Sequence, residues 1–185
     1  MARSETTTPA LFAVYLGGHA PRASIEVHDV VFVVANSLEE AYPQLLDCWF
    51  GSPDDLHIDA WVKVEQVDGY AITLTTESSI KQAESLYFVN LGAYHQYYAG
   101  EIHNSTLMVD VSARAVKTRA KLTLIRDAKE IHTDDLFEVD DCLNITEVGG
   151  YHLQLTPTDK VQPLRVKNGY IPLPQSVIDA WKAAR

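Results

Sequence analysis

The chain has 185 residues, of which 46% are hydrophobic and 22% are charged, and this is enough apolar material for one sizeable core or two small ones. Its formal net charge of -10 at pH 7 argues against a nucleic-acid partner, because phosphate binding needs clustered lysines and arginines. No apolar run approaches the roughly 20 residues of a membrane-spanning helix, so we also expect no membrane partner.

The chain contains an internal repeat. The segment Leu11–Gly17 (LFAVYLG) returns 75 positions later as Leu86–Gly92 (LYFVNLG). After an insertion of six residues in the second copy, the match resumes at a shift of 81, where Val67 and Gly69 correspond to Val148 and Gly150. Repetition of this kind predicts two tandem copies of one domain type.

The first copy, residues 11–74, follows a polar tail of residues 1–10. The short apolar run Leu11–Leu16 and the β-branched segment 26–34 are typical of strands. Ser37 and Glu40 then form a capping box, which predicts a helix. The apolar positions that follow have the spacing of one helical face: Leu38, Ala41, Tyr42, Leu45 and Trp49.

Each copy ends in a predicted hairpin. In the first copy Asp68-Gly69 separates two alternating runs, and in the second copy, residues 86–155, Gly149-Gly150 takes the same place. Each copy therefore has the predicted order ββαββ, with Ser112 as the helix cap of the second copy and residues 75–85 as the linker. We expect an α+β fold in which the two repeats pack with pseudo-twofold symmetry and their strands form mixed or antiparallel sheets.

The last segment, residues 156–185, follows the second copy. The dipeptide Asn168-Gly169 predicts one extra hairpin. Residues 174–184 then predict a short helix with Val177, Ile178 and Trp181 on one side.

Polar residues recur at matching places in the two copies. Alternation along the strand 26–34 puts Glu26 and His28 on one face together with Val30, Phe32 and Val34. A later strand carries His57 and Asp59 in the same alternating pattern. The equivalent residues of the second copy are, by the repeat alignment, Glu101, His103, His132 and Asp134.

Two interpretations of these residues are open. If the strand ends are neighbours, two imidazoles and two carboxylates meet, and this donor set suits a divalent metal ion such as zinc or manganese or acid–base chemistry. The alternative is a structural hydrogen-bond cluster, in which Glu26 fixes the tautomer of His28 and Asp59 caps a loop. No catalytic residue can be assigned from the sequence.

The first copy carries five short motifs: Leu11-x-x-Val-Tyr-Leu-Gly-Gly18, Ile25-Glu-Val-His-Asp29 with Phe32-Val-Val34, Trp49-Phe-Gly51, Leu56-His-Ile-Asp59 and Val67-Asp-Gly-Tyr70. Together they resemble a bacterial family, the domain-of-unknown-function family numbered 1543, whose members carry one or two copies of the domain. The resemblance is looser in the second copy, where Asn104 stands for Asp29. It implies one domain type used twice, and no activity or cofactor.

Three functions are compatible with these patterns. The first is a small binding or interaction protein, whose partner is an unknown protein or small molecule. The second is a metal-dependent hydrolase with His28 and His57 as ligands, and the third is a small-molecule sensor with a pocket between the copies. Cys48 and Cys142 lie in no Cys-x-x-Cys motif, so we expect free thiols and a cytoplasmic location. The sequence carries no signal for an oligomeric state.

Overall fold

The computed structural model describes residues 8–78, 81–94, 97, 99–127, 138–160 and 162–185. The chain divides into two compact units. The first extends to Glu65 and also includes Val148–Tyr151 and Pro163–Arg185; the second comprises Gln66–Glu147 and His152–Gln162.

The elements, in chain order, are β1 (Ala10–Gly18), β2 (Val27–Ala35), α1 (Leu38–Cys48), a 3₁₀ turn (Pro53–Asp55), β3 (His57–Lys63), β4 (Gln66–Val67), β5 (Tyr70–Thr75), β6 (Ser85–Tyr94), β7 (Glu101–Asp110), α2 (Ala113–Asp127), β8 (Glu138–Ile145), β9 (Glu147–Val148), β10 (Tyr151–Pro157), β11 (Lys167–Pro172) and α3 (Gln175–Ala183).

The first unit contains a four-stranded antiparallel sheet in the order β11-β3-β1-β2. Helix α1 begins where the capping box predicts, since the Ser37 hydroxyl accepts a hydrogen bond of 3.2 Å from the Glu40 amide. The predicted apolar face is buried, and it packs into a core with side chains from one face of the sheet. This confirms the predicted strand–strand–helix order and the α+β class.

The main core lies on one face of β2 and the polar pair on the other. Val31, Val33 and Ala35 belong to the core that includes α1. Alternation then places Glu26 and His28 on the opposite face, where both are exposed. The predicted alternation is confirmed, and the side that carries the polar residues stays accessible to solvent.

The second unit repeats the plan with a three-stranded antiparallel sheet in the order β7-β6-β8. Helix α2 begins after Ser112, whose hydroxyl accepts from the Ala115 amide at 3.2 Å, and it buries Val116 and Ala120 against the sheet. The predicted second helix is therefore confirmed.

Both predicted hairpin turns are present. Asp68 and Gly69 have φ values of 51° and 79°, and Gly149 and Gly150 have 58° and 80°, as a two-residue hairpin turn with positive φ at both positions requires. The hairpins join in a sheet of order β4-β5-β10-β9. By contacts the β4–β5 hairpin belongs to the second unit, although by sequence it closes the first repeat.

A side-chain network holds that first hairpin in the second unit. One Asp68 carboxylate oxygen accepts from the Val109 amide at 2.8 Å and from the Arg119 guanidinium at 2.5 Å. Arg119 also donates to the Val109 carbonyl at 2.8 Å. A charged group at the tip of the turn thus anchors the hairpin to β7 and α2.

The predicted C-terminal hairpin is wrong. Asn168 and Gly169 lie within β11, which pairs antiparallel with β3 rather than with the segment before it. Backbone pairing with the edge of a strand distant in sequence satisfies the amides that a local hairpin would have used. The short helix that follows is confirmed as α3, with Ile178 buried in the first unit's core.

Among the residues that the structure describes, no helix combines the length and apolar character needed to cross a membrane.

The hydrogen bond between Asp47 of α1 and Trp181 of α3 makes part of the free energy of unfolding sensitive to acid. Asp47 accepts a hydrogen bond of 2.7 Å from the Trp181 indole and pairs with Arg185. The indole bond, with a further contribution from Arg185, lowers the pKa of Asp47 below its ordinary value against an opposing desolvation effect. A carboxyl group with a lowered folded-state pKa stabilises the fold above its unfolded-state pKa, and this stabilisation is lost as the pH falls through the folded-state pKa.

We therefore expect Asp47→Asn to lower the melting temperature near neutral pH and to have less effect as the pH falls to about 3. Thermal unfolding followed by circular dichroism across this range measures the difference. The matched control is Asp159→Asn, at an exposed aspartate outside both helices. An equal effect of Asp47→Asn at every pH would contradict the assignment.

Candidate metal centre

The ends of three neighbouring strands bring two histidines to one place. Gly17, near the end of β1, lies opposite His28 on β2 and opposite His57 on β3. Directly opposed residues of antiparallel strands share a face of the sheet. The two imidazoles therefore flank Gly17 on the same side.

A β-bulge in β3 adds a carboxylate. Tyr15 lies opposite Ala60 whereas Leu16 lies opposite Ile58, so Asp59 is the extra residue of the bulge. Bulges of this kind redirect a side chain and are common beside functional sites. Here Asp59 comes within reach of both imidazoles, and Glu26, immediately before β2, supplies the second carboxylate.

The four side chains meet through their polar ends. His57 Nε2 lies 2.8 Å from Glu26 Oε1 and 3.4 Å from Asp59 Oδ1. His28 Nε2 lies 3.3 Å from the same Glu26 oxygen and 3.4 Å from Asp59 Oδ2. We call these four residues the Glu26–Asp59 cluster. It confirms the juxtaposition on which the sequence-based hypothesis depended.

His57 is the buried member of the cluster, with 5% of its side chain exposed. Its Nδ1 lies 3.0 Å from the Asp55 carbonyl oxygen, which can only accept a hydrogen bond, so Nδ1 carries the hydrogen. In a neutral imidazole Nε2 then presents a lone pair to a carboxylate that also has only lone pairs. A positive charge is required between them, and either a proton or a metal ion supplies it.

Gly17 leaves the space in which the donors converge. A Cβ atom at this position would lie 2.5 Å from His57 Nε2 and 2.7 Å from both Asp59 Oδ2 and Glu26 Oε1. Distances below 3.0 Å are not tolerated, so any other residue would push the donors apart. Glycine inside a strand often marks such a close approach.

The donor set fits a divalent transition metal. Donor atoms of Glu26, His57 and Asp59 lie within 4.8 Å of one another. Imidazole nitrogen and carboxylate oxygen are common ligands of zinc, and they also suit manganese. The backbone carbonyl that orients His57 is the usual outer partner of a metal-binding histidine.

The cluster is open to solvent on one side. The side chains of Glu26, Asp59 and His28 are 40%, 35% and 62% exposed. The ring of Tyr170, on β11, covers His57 with its centroid 4.4 Å away. The cluster thus combines one buried imidazole beneath an aromatic ring with three side chains that solvent can reach.

The second unit retains only part of this arrangement among the residues described. His103 Nε2 lies 3.8 Å from Glu101 Oε2, and its Nδ1 lies 3.3 Å from the Asn90 amide nitrogen. The two remaining candidates, His132 and Asp134, lie outside the described residues.

The strand register revises the repeat alignment in this region. His57 lies opposite Gly17 in the first unit, and Glu138 lies opposite Gly92 in the second. β3 and β8 therefore correspond at a shift of 81, so the six-residue insertion precedes Glu138. His132 is thus not the register equivalent of His57.

Sequence reasoning missed three contributors to the site. The strand predicted from the apolar run ends at Leu16, whereas Gly17 lies within β1. Gly17 contributes to the site because it lies between β2 and β3, opposite both histidines, and its local sequence does not indicate this. Asp55 and Tyr170 contact His57 through a loop and through β11, and no sequence pattern indicates either contact.

Comparison with known proteins identifies relatives and no activity. Residues 23–74 match the family described as Domain of Unknown Function (DUF1543), in one copy. The crystal structure of protein Il1583 from Idiomarina loihiensis is similar, with 36% identity, a TM-score of 0.71, and coverage of 90% of this chain and 99% of that one. No curated protein matches the chain. The chain belongs to the same family as Il1583, and it carries a DUF1543 domain that includes all four residues of the Glu26–Asp59 cluster.

Proposed function

We propose that this protein binds a divalent transition-metal ion, zinc or manganese, in the Glu26–Asp59 cluster. The observation that carries the proposal is the 2.8 Å approach of His57 Nε2 to Glu26 Oε1 while His57 Nδ1 is engaged by the Asp55 carbonyl. This arrangement aims the free nitrogen of a buried, oriented imidazole at a carboxylate. Metal-binding histidines have the same arrangement of inner and outer partners.

A structural hydrogen-bond cluster is the alternative, and two features favour the metal. A single proton can neutralise the contact between His57 and Glu26, but His28 and Asp59 also direct polar atoms to the same place. Because Gly17 has no side chain, the donor atoms of Glu26, His57 and Asp59 can converge beside it. A cluster with only a structural role would not need this convergence, because hydrogen bonds form pairwise.

Zinc is favoured over manganese by two imidazole donors. At a site with nitrogen ligands, affinity rises from manganese towards zinc along the divalent series. The two carboxylates are acceptable to both ions.

Both cysteines are free thiols, which agrees with the proposed cytoplasmic location.

A metal-dependent hydrolase is the second candidate. The half-exposed carboxylates and the exposed His28 leave a side of the cluster accessible to water and substrate, and an open position distinguishes catalytic from structural zinc sites. Cysteine chemistry is less favoured, because desolvation raises the pKa of both Cys48 and Cys142 and keeps the thiols protonated.

Metal analysis of protein purified without a histidine tag tests the proposal. We expect about one equivalent of bound zinc per chain after loading and desalting, measured by inductively coupled plasma mass spectrometry. His57→Ala and Glu26→Gln should both lose it, and Glu26→Gln removes a ligand charge with almost no change in shape. The matched control, His152→Ala, removes a histidine of the second unit and should keep the metal. Wild-type protein that retains no zinc or manganese would refute the proposal.

A second prediction concerns the gap at Gly17. Gly17→Ala should weaken zinc binding by roughly tenfold or more, because the added methyl group would occupy the space between the donors. The matched control is Gly169→Ala, where an added Cβ would have no neighbour within 4 Å. Isothermal titration calorimetry compares the two variants with the wild type. Equal affinities would mean that the donors do not converge above Gly17 when zinc binds.

A further inference from the structure

Asp55 links the buried histidine of the cluster to a second, exposed histidine. Its carbonyl oxygen accepts from His57 Nδ1 at 3.0 Å. One oxygen of its side chain lies 2.6 Å from His19 Nδ1, and the same oxygen accepts from the His19 amide at 3.2 Å. His19 follows Gly17 by two positions, so this pair adjoins the strand end on which the cluster is built.

The loop that carries Asp55 is held on one side by His19 and Gly18. On the other side Lys182 pairs with Asp54, and the Leu173 amide donates to the Leu56 carbonyl at 3.2 Å. The Ser52 amide donates to the His19 carbonyl at 2.7 Å. The Ser52 hydroxyl caps the 3₁₀ turn by accepting from the Asp54 amide at 3.3 Å. A Cβ atom at Gly18 would lie 3.3 Å from the Asp55 carbonyl oxygen, so β1 and this loop are in close contact. The contact between His19 and Asp55 is therefore one of the contacts that join this loop to the end of β1.

The pair itself is exposed, with 59% of the His19 and 41% of the Asp55 side chain accessible. Ion pairs at such positions contribute little to the stability of a fold. The His19 contact is short and exposed, and it is made to the side chain of the residue whose backbone carbonyl orients His57. An effect on the site explains it better than an effect on folding.

We propose that His19 and Asp55 are a positioning pair for the metal centre, holding the Asp55 carbonyl where it keeps His57 Nε2 directed into the cluster. This inference rests on the proposed metal binding. Neither residue contacts the metal in this proposal, and both act through the orientation of His57. Loss of such outer contacts typically reduces metal affinity by about 10–100-fold.

Cobalt(II) and zinc binding to the full chain test the proposal. The visible absorption spectrum of bound cobalt reports the ligand geometry, and competition with a chromophoric chelator gives the zinc affinity. We expect His19→Ala to weaken zinc binding by about 10–100-fold and to change the cobalt spectrum, with unfolding of the metal-free protein unchanged. His19→Asn should restore much of both, because the asparagine amide can donate to the Asp55 carboxylate as Nδ1 does.

The matched control is again His152→Ala, which breaks another histidine–carboxylate contact, 3.6 Å from His152 Nδ1 to Glu147 Oε2, in the second unit. It should leave both readouts unchanged. If the wild type binds metal and His19→Ala binds it equally well with the same spectrum, the positioning pair is refuted while the metal site stands. If His19→Ala lowers the stability of the metal-free protein as much as its affinity, the pair is structural and the proposal also fails. If the wild type binds neither metal, the proposed function itself fails.

Discussion

The arrangement of the site depends on the antiparallel alignment of β1 between β2 and β3. This alignment places Gly17 opposite both His28 and His57, so that a residue without a side chain lies between two imidazoles. The bulge at Asp59 then turns a carboxylate towards the same point. A register shift of one residue would turn these side chains to the other face of the sheet, where the core lies.

Burial and exposure are divided within the cluster in a way that suits binding. His57 is buried and contacts the Asp55 carbonyl and the Tyr170 ring, whereas His28 and the carboxylates reach solvent. The two carboxylates and the two imidazoles direct their polar atoms to one place, and a divalent cation would satisfy this donor set. The second unit has the same strand plan and the same bulge, but Glu138 takes the register position of His57. The two units therefore share this strand arrangement and differ in the residue at this register position.

Much of the fold was predictable because its signals are local. The capping box at Ser37, the apolar spacing along α1 and the Asp68-Gly69 turn each act within a few residues. The failures came where a distant partner decides the outcome. Asn168-Gly169 has the composition of a turn, but this segment forms β11 and pairs with the edge of β3. The equivalence of His132 with His57 failed for the same reason, since it depends on how the strands pair.

The sequence by itself predicted a duplicated α+β protein, and it placed Glu26, His28, His57 and Asp59 in two alternating pairs whose side chains suit metal binding. Periodicity and turn chemistry are properties of neighbouring residues, and a single chain displays them directly. Only the tertiary structure decided that these four side chains meet, that Gly17 makes the space for them, and that Asp55 orients His57. These facts depend on strand register and on contacts between residues far apart in the chain, which arise only when the sheet has formed.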